Sequence, residues 1–410
     1  MLSFIRRLFD RKPGTEQVAR LLLQELQRLL PDEKLVLDPE QFLIRRADGG
    51  TVYLHNLYTD CCQARPAERR EQIARFALGV AGIGSDRPAD LDEARPRLLP
   101  ILRRLAGVDL ARISHGDFSK KLEDTMVWTP FSPTLGAAVA IDSDHAIAQL
   151  SPDDLERWGI GFEQAFEIAV DNLRHKAAPA FGQLAPGLYV SNYGDYYDAG
   201  RIFLHELAWQ LPLDGDPVAM APNRTCLLVC GAGDADALEN MIATARRVLR
   251  EQSRPLSAEM FRLRDKTWSL WTPPGQAGVQ LAALLREEKA VDYNDQQEVL
   301  EKAHVEAGID VFVAKHSLLR RESDGALVSY VVLPKGVDTW LPEADLVFLC
   351  EVAGETPTIV AWPHFAEHAG HLLERLPLAV PRWKVLGYPE GDCLRRLREL
   401  ATTVEAVQFQ

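Results

Sequence analysis

SNYGDYYDAGRIFLHEL, residues 191–207, stands where an apolar run, GLYVS (187–191), gives way to a polar loop and then to a segment of helical character. It gathers two aspartates, three tyrosines, an arginine and a histidine at that passage from strand to helix. On either side of it, helices and strands follow one another without a regular βαβ alternation. That mixture predicts an α+β fold in a multi-domain chain.

Upstream, SPDDLERWGIGFEQAFEIAVDNLRHKA (151–177) carries its own start signals: Ser151 as N-cap, Pro152 at the first helical position and Asp154 close to a capping-box position. Gly159 and Gly161 break this helix and a longer one follows. Strands are expected near 126–130, 135–141 and 145–150, with DSDH (142–145) as the turn between the last two. LLPILRRLAG (98–107) reads as a helix, entered from the polar, proline-rich linker GSDRPADLDEARPR (84–97). Nearer the start, Val18, Leu22, Leu26 and Leu29 share one face of a helix over 15–30. Strands KLVLD, FLIRR and TVYLH follow, with a turn at Asp48-Gly49-Gly50, and then a second helix, interrupted near Pro66, that runs to about Ala81.

Downstream, PVAMA and TCLLVC form a hairpin around Pro222-Asn223-Arg224, a helix starts at Asp234, and MFRLR and TWSLW make another hairpin. TPPGQAGVQ (272–280) reads as a second linker. Beyond it, helices are expected near 279–287 and 293–306, and strands near 309–319, 326–334, 345–352 and 357–362. A helix from Pro363, a strand near 382–387 and a last helix complete the chain. These signals divide it into an N-terminal amphipathic segment (1–14), a small α-β-β-β-α domain (15–83), an α+β domain (98–272) and a C-terminal α+β domain (279–410).

The chain of 410 residues is longer than one hydrophobic core usually supports, and carries 59 acidic against 46 basic residues. Its basic residues are scattered among acids, so no nucleic-acid partner is expected. Six cysteines form no C-x-x-C, and Cys226 and Cys230 on one strand would stand ~13 Å apart, too far for a disulfide. A reducing, cytoplasmic location fits. MLSFIRRLFDRK (1–12) is amphipathic; it suits packing on its own protein, or contact with a membrane surface or partner. Arg6 and Arg7 break its apolar run, so no transmembrane segment is expected there.

Two readings compete for 191–207. In the plainer one, Asp195 or Asp198 caps a helix for ~1 kcal/mol, and Asp198 pairs with Arg201 on its surface. In the functional one, Asn192, Tyr193, Tyr196 and Tyr197 crowd around Gly194 with the tyrosines as walls, Asp195 or Asp198 is the acid/base and Arg201 the anion clamp, and Asp198, Arg201 and His205, at i, i+3 and i+7, bind a small polar ligand or share a proton. A second candidate is PHFAEHAGH (363–371): His364, Glu367 and His368 follow the H-x-x-E-H order of inverted zinc peptidases, and His371 adds a third imidazole. Arg375 on the same stripe opposes a cation, and a solvated histidine stripe beside a packed face is the expected reading. Gly231 and Gly233 before a helix lack the rest of a phosphate loop, and Asp234 already fills the anion position as N-cap. GVAGIG (79–84) reads as a helix end.

HNLYTDCCQARPAERREQIARF (55–76), LSPDDLERWGIGFEQAFEIAVDNLR (150–174), LYVSNYGDYYDAGRI (188–202) and GDPVAMAPNR (215–224), in that order, resemble the YtpQ-like family of bacterial proteins, which carry a domain of unknown function. The resemblance covers roughly 15–272. It implies a stretch of the form Asn-x-x-Asp-Gly-Tyr-Asp-Ala-Ser-Arg, which Asn192, Asp195, Tyr197, Asp198, Ala199 and Arg201 match; Tyr196 stands for the glycine and Gly200 for the serine. It implies a domain boundary and a bacterial origin, but no reaction. With no complete catalytic or cofactor motif, the leading expectation is a binding or adaptor protein with a protein partner and no cofactor. An enzyme or sensor of a small polar ligand comes second, and a zinc-dependent hydrolase at 364–371 third.

Overall fold

The computed structural model describes residues 12–47, 50–82, 87–114, 126–143, 147–176, 180–321, 325–352, 354–402 and 407–409. The membrane-surface contact expected of residues 1–12 therefore falls almost wholly outside the described residues. So do Asp48-Gly49, Ile83-Gly84 and Asp144-His145.

Helix α1 (Thr15–Leu29) turns Val18, Leu22 and Leu26 inward, as their spacing requires. They meet Ile44 and Val52 of the meander β1 (Val36–Asp38), β2 (Leu43–Arg45) and β3 (Thr51–Tyr53). Leu57, Cys61, Ile73 and Ala77 of α2 (His55–Gln63) and α3 (Pro66–Gly82) close the same cluster.

The run expected as a helix at 98–107 is mostly a strand, β4 (Leu98–Arg104), and only then a helix, α4 (Leu105–Ser114). Leu98 to Leu102 are all buried, and a continuous apolar run has no period with which to tell strand from helix. Pro100, without an N–H, is tolerated because β4 is a sheet edge. β5 (Thr129–Pro130), β6 (Leu135–Asp142) and β7 (Ile147–Gln149) complete this sheet, with β4, β5 and β7 all paired to β6. Helix α5 (Pro152–Trp158) begins on the expected capping box, in which the Asp154 N–H donates to Ser151 Oγ and the Ser151 N–H to the Asp154 carboxylate. Helix α6 (Phe162–His175) packs on β4.

A six-stranded antiparallel sheet follows, in the order β13-β12-β10-β11-β9-β8. Its strands are β8 (Phe181–Ala185), β9 (Leu188–Ser191), β10 (Pro217–Asn223), β11 (Cys226–Gly231), β12 (Met260–Arg264) and β13 (Thr267–Leu270). A 3-10 turn (Ala199–Phe203) and the short α7 (His205–Trp209) lie between β9 and β10. α8 (Ala235–Glu251), capped by Asp234, lays Leu238, Met241, Ile242 and Ala245 on the sheet.

The expected linker at 272–280 followed by two helices is instead one helix of 33 residues, α9 (Gly275–Ala307). Glu287, Glu288 and Asp292 look in sequence like an exposed break. They stay helical because Arg104, Arg246 and Arg250 from other elements neutralise them. α9 leads into β14 (Phe312–Val313), β15 (Ser317–Arg321), β16 (Leu327–Pro334), β17 (Thr339–Pro342), β18 (Leu346–Cys350) and β19 (Thr358–Ala361). After them come α10 (Trp362–Ala369), β20 (Leu373–Arg375), β21 (Arg382–Val385), α11 (Gly391–Glu399) and β22 (Val407–Phe409). The strands form two sheets, β19-β18-β16-β15-β22 and β14-β17-β21-β20, each containing one parallel pair. β17 was not anticipated. The fold is mixed α+β, as expected. No helix among the described residues is long and apolar enough to cross a membrane.

Candidate functional site

The stretch 191–207 closes on itself. Arg201, with its side chain fully buried, donates from both terminal nitrogens to Asp195, each at 2.8 Å, and its guanidinium lies 3.5 Å above the centre of the Tyr193 ring. Asp195 also accepts the Tyr197 N–H at 3.1 Å, and Asp198 accepts the Tyr193 N–H at 3.1 Å. Burial works to raise the Asp195 pKa, but the Arg201 guanidinium and the Tyr197 N–H outweigh it and hold the carboxyl below its usual range. The expected surface pair between Asp198 and Arg201 is thus replaced by a buried one between Asp195 and Arg201. Asp198 stands at the N-cap of the 3-10 turn without capping it.

Tyr197 is buried and donates its hydroxyl to Asp142 Oδ1 at 2.8 Å; burial first, and that carboxylate second, push its pKa up. Asn192 is exposed and gives its N–H to the Ala180 carbonyl. Helical geometry breaks at Leu204, so the i, i+3, i+7 stripe does not form. His205 lies 3.8 Å from Glu206, which pairs with Arg174, and does not join the Asp195–Arg201 pair. Tyr196 has φ 66°, a left-handed backbone that favours glycine, the residue the resembled pattern puts there.

Gly200, which stands for the serine of the resembled pattern, is buried. A Cβ there would lie 2.4 Å from the Pro100 carbonyl oxygen of β4. Gly200→Ser is therefore expected to cost about 1–3 kcal/mol by overpacking. An unchanged urea midpoint for that variant would refute the contact.

This closed loop positions its neighbours. The Ala199 N–H donates to the Arg224 carbonyl at 3.1 Å, so the 3-10 turn holds the β10–β11 hairpin, while Gly200 seats β4. Arg224 at the hairpin tip, with Arg103 and Arg104 at the end of β4, borders a cleft of about 760 Å³. Arg246 and Arg250 of α8, Arg254, Asn56, and Glu287, Glu288, Asp292 and Asp295 of α9 line it too.

Most of these charges are already paired. Arg104 reaches Asp292 at 2.5 Å and Glu288 at 3.3 Å, Arg250 reaches Glu287 at 3.0 Å, and Arg254 reaches Asp60 at 2.9 Å. Arg254 holds its place in a left-handed conformation, φ 54°, which its N–H bond to Asn56 Oδ1 helps to hold. Arg103 and Arg224 differ: among the described residues no acceptor and no carboxylate meets either guanidinium, and Arg103 Nε is buried without a partner. Burial lowers the Arg103 pKa. Burial, then the charges of Arg103 and Arg254, bring Arg224 down to about 10. In the same cleft, burial raises Glu288 to about 7 against the pull of Arg104, with repulsion from Asp292 adding to the rise.

Two half-buried, unpaired cations thus line one cleft with a carboxyl raised to about 7, a clustering of perturbed groups that marks a candidate site. The sequence offers the doublet Arg103-Arg104 and the basic run RRVLREQSRP (246–255), but nothing along the chain joins them to Arg224 or to the acids of α9.

The other candidates resolve differently. α10 ends at Ala369, so His371 leaves the stripe of His364 and His368; His364 and His371 are exposed. Among the described residues no group of three or more His, Cys, Asp or Glu is placed to hold a metal ion. Gly231 and Gly233 are pressed against Asp214, whose carbonyl oxygen a Cβ at 231 would meet at 2.2 Å, so that loop is filled by its own chain. No family model matches the chain, and no curated protein or solved structure matches it.

Proposed function

We propose that this protein binds a small anionic molecule in the arginine-lined cleft. The observation that carries this reading is the pair Arg103 and Arg224, half-buried cations that no carboxylate of the described residues meets. A phosphate or carboxylate accepts paired hydrogen bonds from such forks. A basic cleft on a chain of net charge −13 also gives an anion one favourable place to approach.

The test is calorimetric titration with inorganic pyrophosphate at low salt. Each charge-assisted hydrogen bond contributes ~1.5–3 kcal/mol, so Arg224→Met is expected to weaken binding at least about tenfold. The same variant is expected to keep or raise the melting temperature, because it removes a desolvated cation. Wild-type protein that takes up no pyrophosphate at millimolar concentration would end this reading.

A second reading, an enzyme that moves a proton, is favoured by Glu288, whose carboxyl near neutrality suits it to give or take one from a bound ligand. Glu288→Gln that binds pyrophosphate but loses turnover of a phosphate ester hydrolysed by the wild type would support it. The kinship with the YtpQ-like family over roughly 15–272 stands as a proposal and adds no reaction. A cytoplasmic location is supported by six cysteines that are all free. A protein partner remains the adaptor form of the proposal, tested by pull-down for a stoichiometric companion.

A further inference from the structure

The α9 wall of the cleft is acidic. Glu287 is neutralised by Arg246 and Arg250, while Glu288 and Asp292 share Arg104. Asp295 is different: it is an exposed residue whose carboxylate no hydrogen bond or ion pair reaches among the described residues, and the part-burial of its cleft, then the neighbouring Asp292, raise its proton affinity. Glu288, with a side chain only 8% exposed, keeps Oε1 without a hydrogen bond although an Arg104 nitrogen stands 3.3 Å away. Residues 288, 292 and 295 follow i, i+4, i+7 and so stack along one face of the helix. Two of these carboxylates thus share one cation and the third has none, on a face that lines the same cleft as the two unpaired arginines.

We infer that the ligand is zwitterionic: its anionic head is held by Arg103 and Arg224, and a primary amine is held by Asp295 and Glu288. The inference rests on the anion-binding reading above. A ligand with both ends satisfies both surpluses at once, whereas a simple anion leaves Asp295 unpaired and adds repulsion to the α9 wall. At about 760 Å³ the cleft has room for a molecule well beyond a bare phosphate.

Two probes of nearly equal size separate the possibilities, O-phosphoethanolamine and ethyl phosphate, which lacks the amine. Calorimetry on the full chain at pH 7 and low salt is expected to give about tenfold tighter binding of O-phosphoethanolamine. Asp295→Asn is expected to remove that preference, because it takes away the partner of the amine and also relieves the repulsion that weakens ethyl phosphate. Equal affinity of the wild type for both probes would overturn the zwitterion and spare the anion site. Preference retained in Asp295→Asn would overturn the placement of the amine. Failure of both probes to bind would overturn this inference and the anion site together.

Discussion

Asp195→Ala is expected to lower the unfolding free energy by about 3 kcal/mol, well beyond the ~1 kcal/mol that loss of a helix cap costs. The reason lies with the partner left behind. Arg201 is fully buried, donates both its strong hydrogen bonds to Asp195, and has Nε already without an acceptor. Its stacking on Tyr193 compensates only in part. Partial exposure of Asp195, 34%, lets water reach the vacated place and keeps the cost toward the lower end for a broken buried pair. The double variant Asp195→Ala/Arg201→Met is expected to recover most of the loss, since it leaves no stranded charge. Urea unfolding of the two variants decides the matter: a single-variant loss of only ~1 kcal/mol, with no recovery in the double, would return this loop to the status of a cap.

Acidification is expected to unfold the wild type through His316. This imidazole is buried, stacks on Tyr293 at 4.9 Å, and has no hydrogen-bonding partner at either ring nitrogen. Burial first, then the charges of Lys289 and Arg382, lower its pKa from 6.5 to about 4; Asp345 opposes them. Because the folded pKa lies below the unfolded one, the unfolded chain binds more protons between pH 6.5 and about 4, and stability falls as pH falls through that window. The loss attributable to this group is on the order of 3 kcal/mol at the lower end. Glu288 has the opposite sign: its raised pKa favours the folded state as pH falls from 7 toward its unfolded value. The informative quantity is therefore the difference between wild type and His316→Phe, in which Glu288 cancels. Denaturant unfolding at pH 7 and pH 4 should show the variant losing about 3 kcal/mol less than the wild type. Parallel losses would mean that His316 is not the group responsible.

What the sequence makes legible is what is local. The capping box at Ser151-Asp154, the N-cap at Asp234 and the inward face of Val18, Leu22 and Leu26 are written within one or two turns of chain. Misreadings occur where local pattern is silent or is overridden from elsewhere. LLPIL has no period, and the break imagined near 288–292 dissolves because Arg104, some 188 residues away, neutralises Asp292. The stretch 191–207 stands out in composition, yet its two aspartates are spent on its own Arg201 and on its own backbone. That Arg103, Arg224 and Asp295 are unpaired is written nowhere along the chain, because being unpaired is a property of space.

The length of α9 has a mechanical side. Its first turns are packed into the apolar cluster under α8 through Ala277 and Leu281, its middle borders the cleft, and Leu300 joins Val313 and Leu378 at the far end. At 1.5 Å per residue, 33 residues make a rod of about 50 Å. A tilt of about 5° around the anchored end sweeps the other by about 4 Å, on the simple geometry of such a rod. Glu288 and Asp295 sit partway along that arm, so the place where charge is unbalanced is also the place where a small push has leverage.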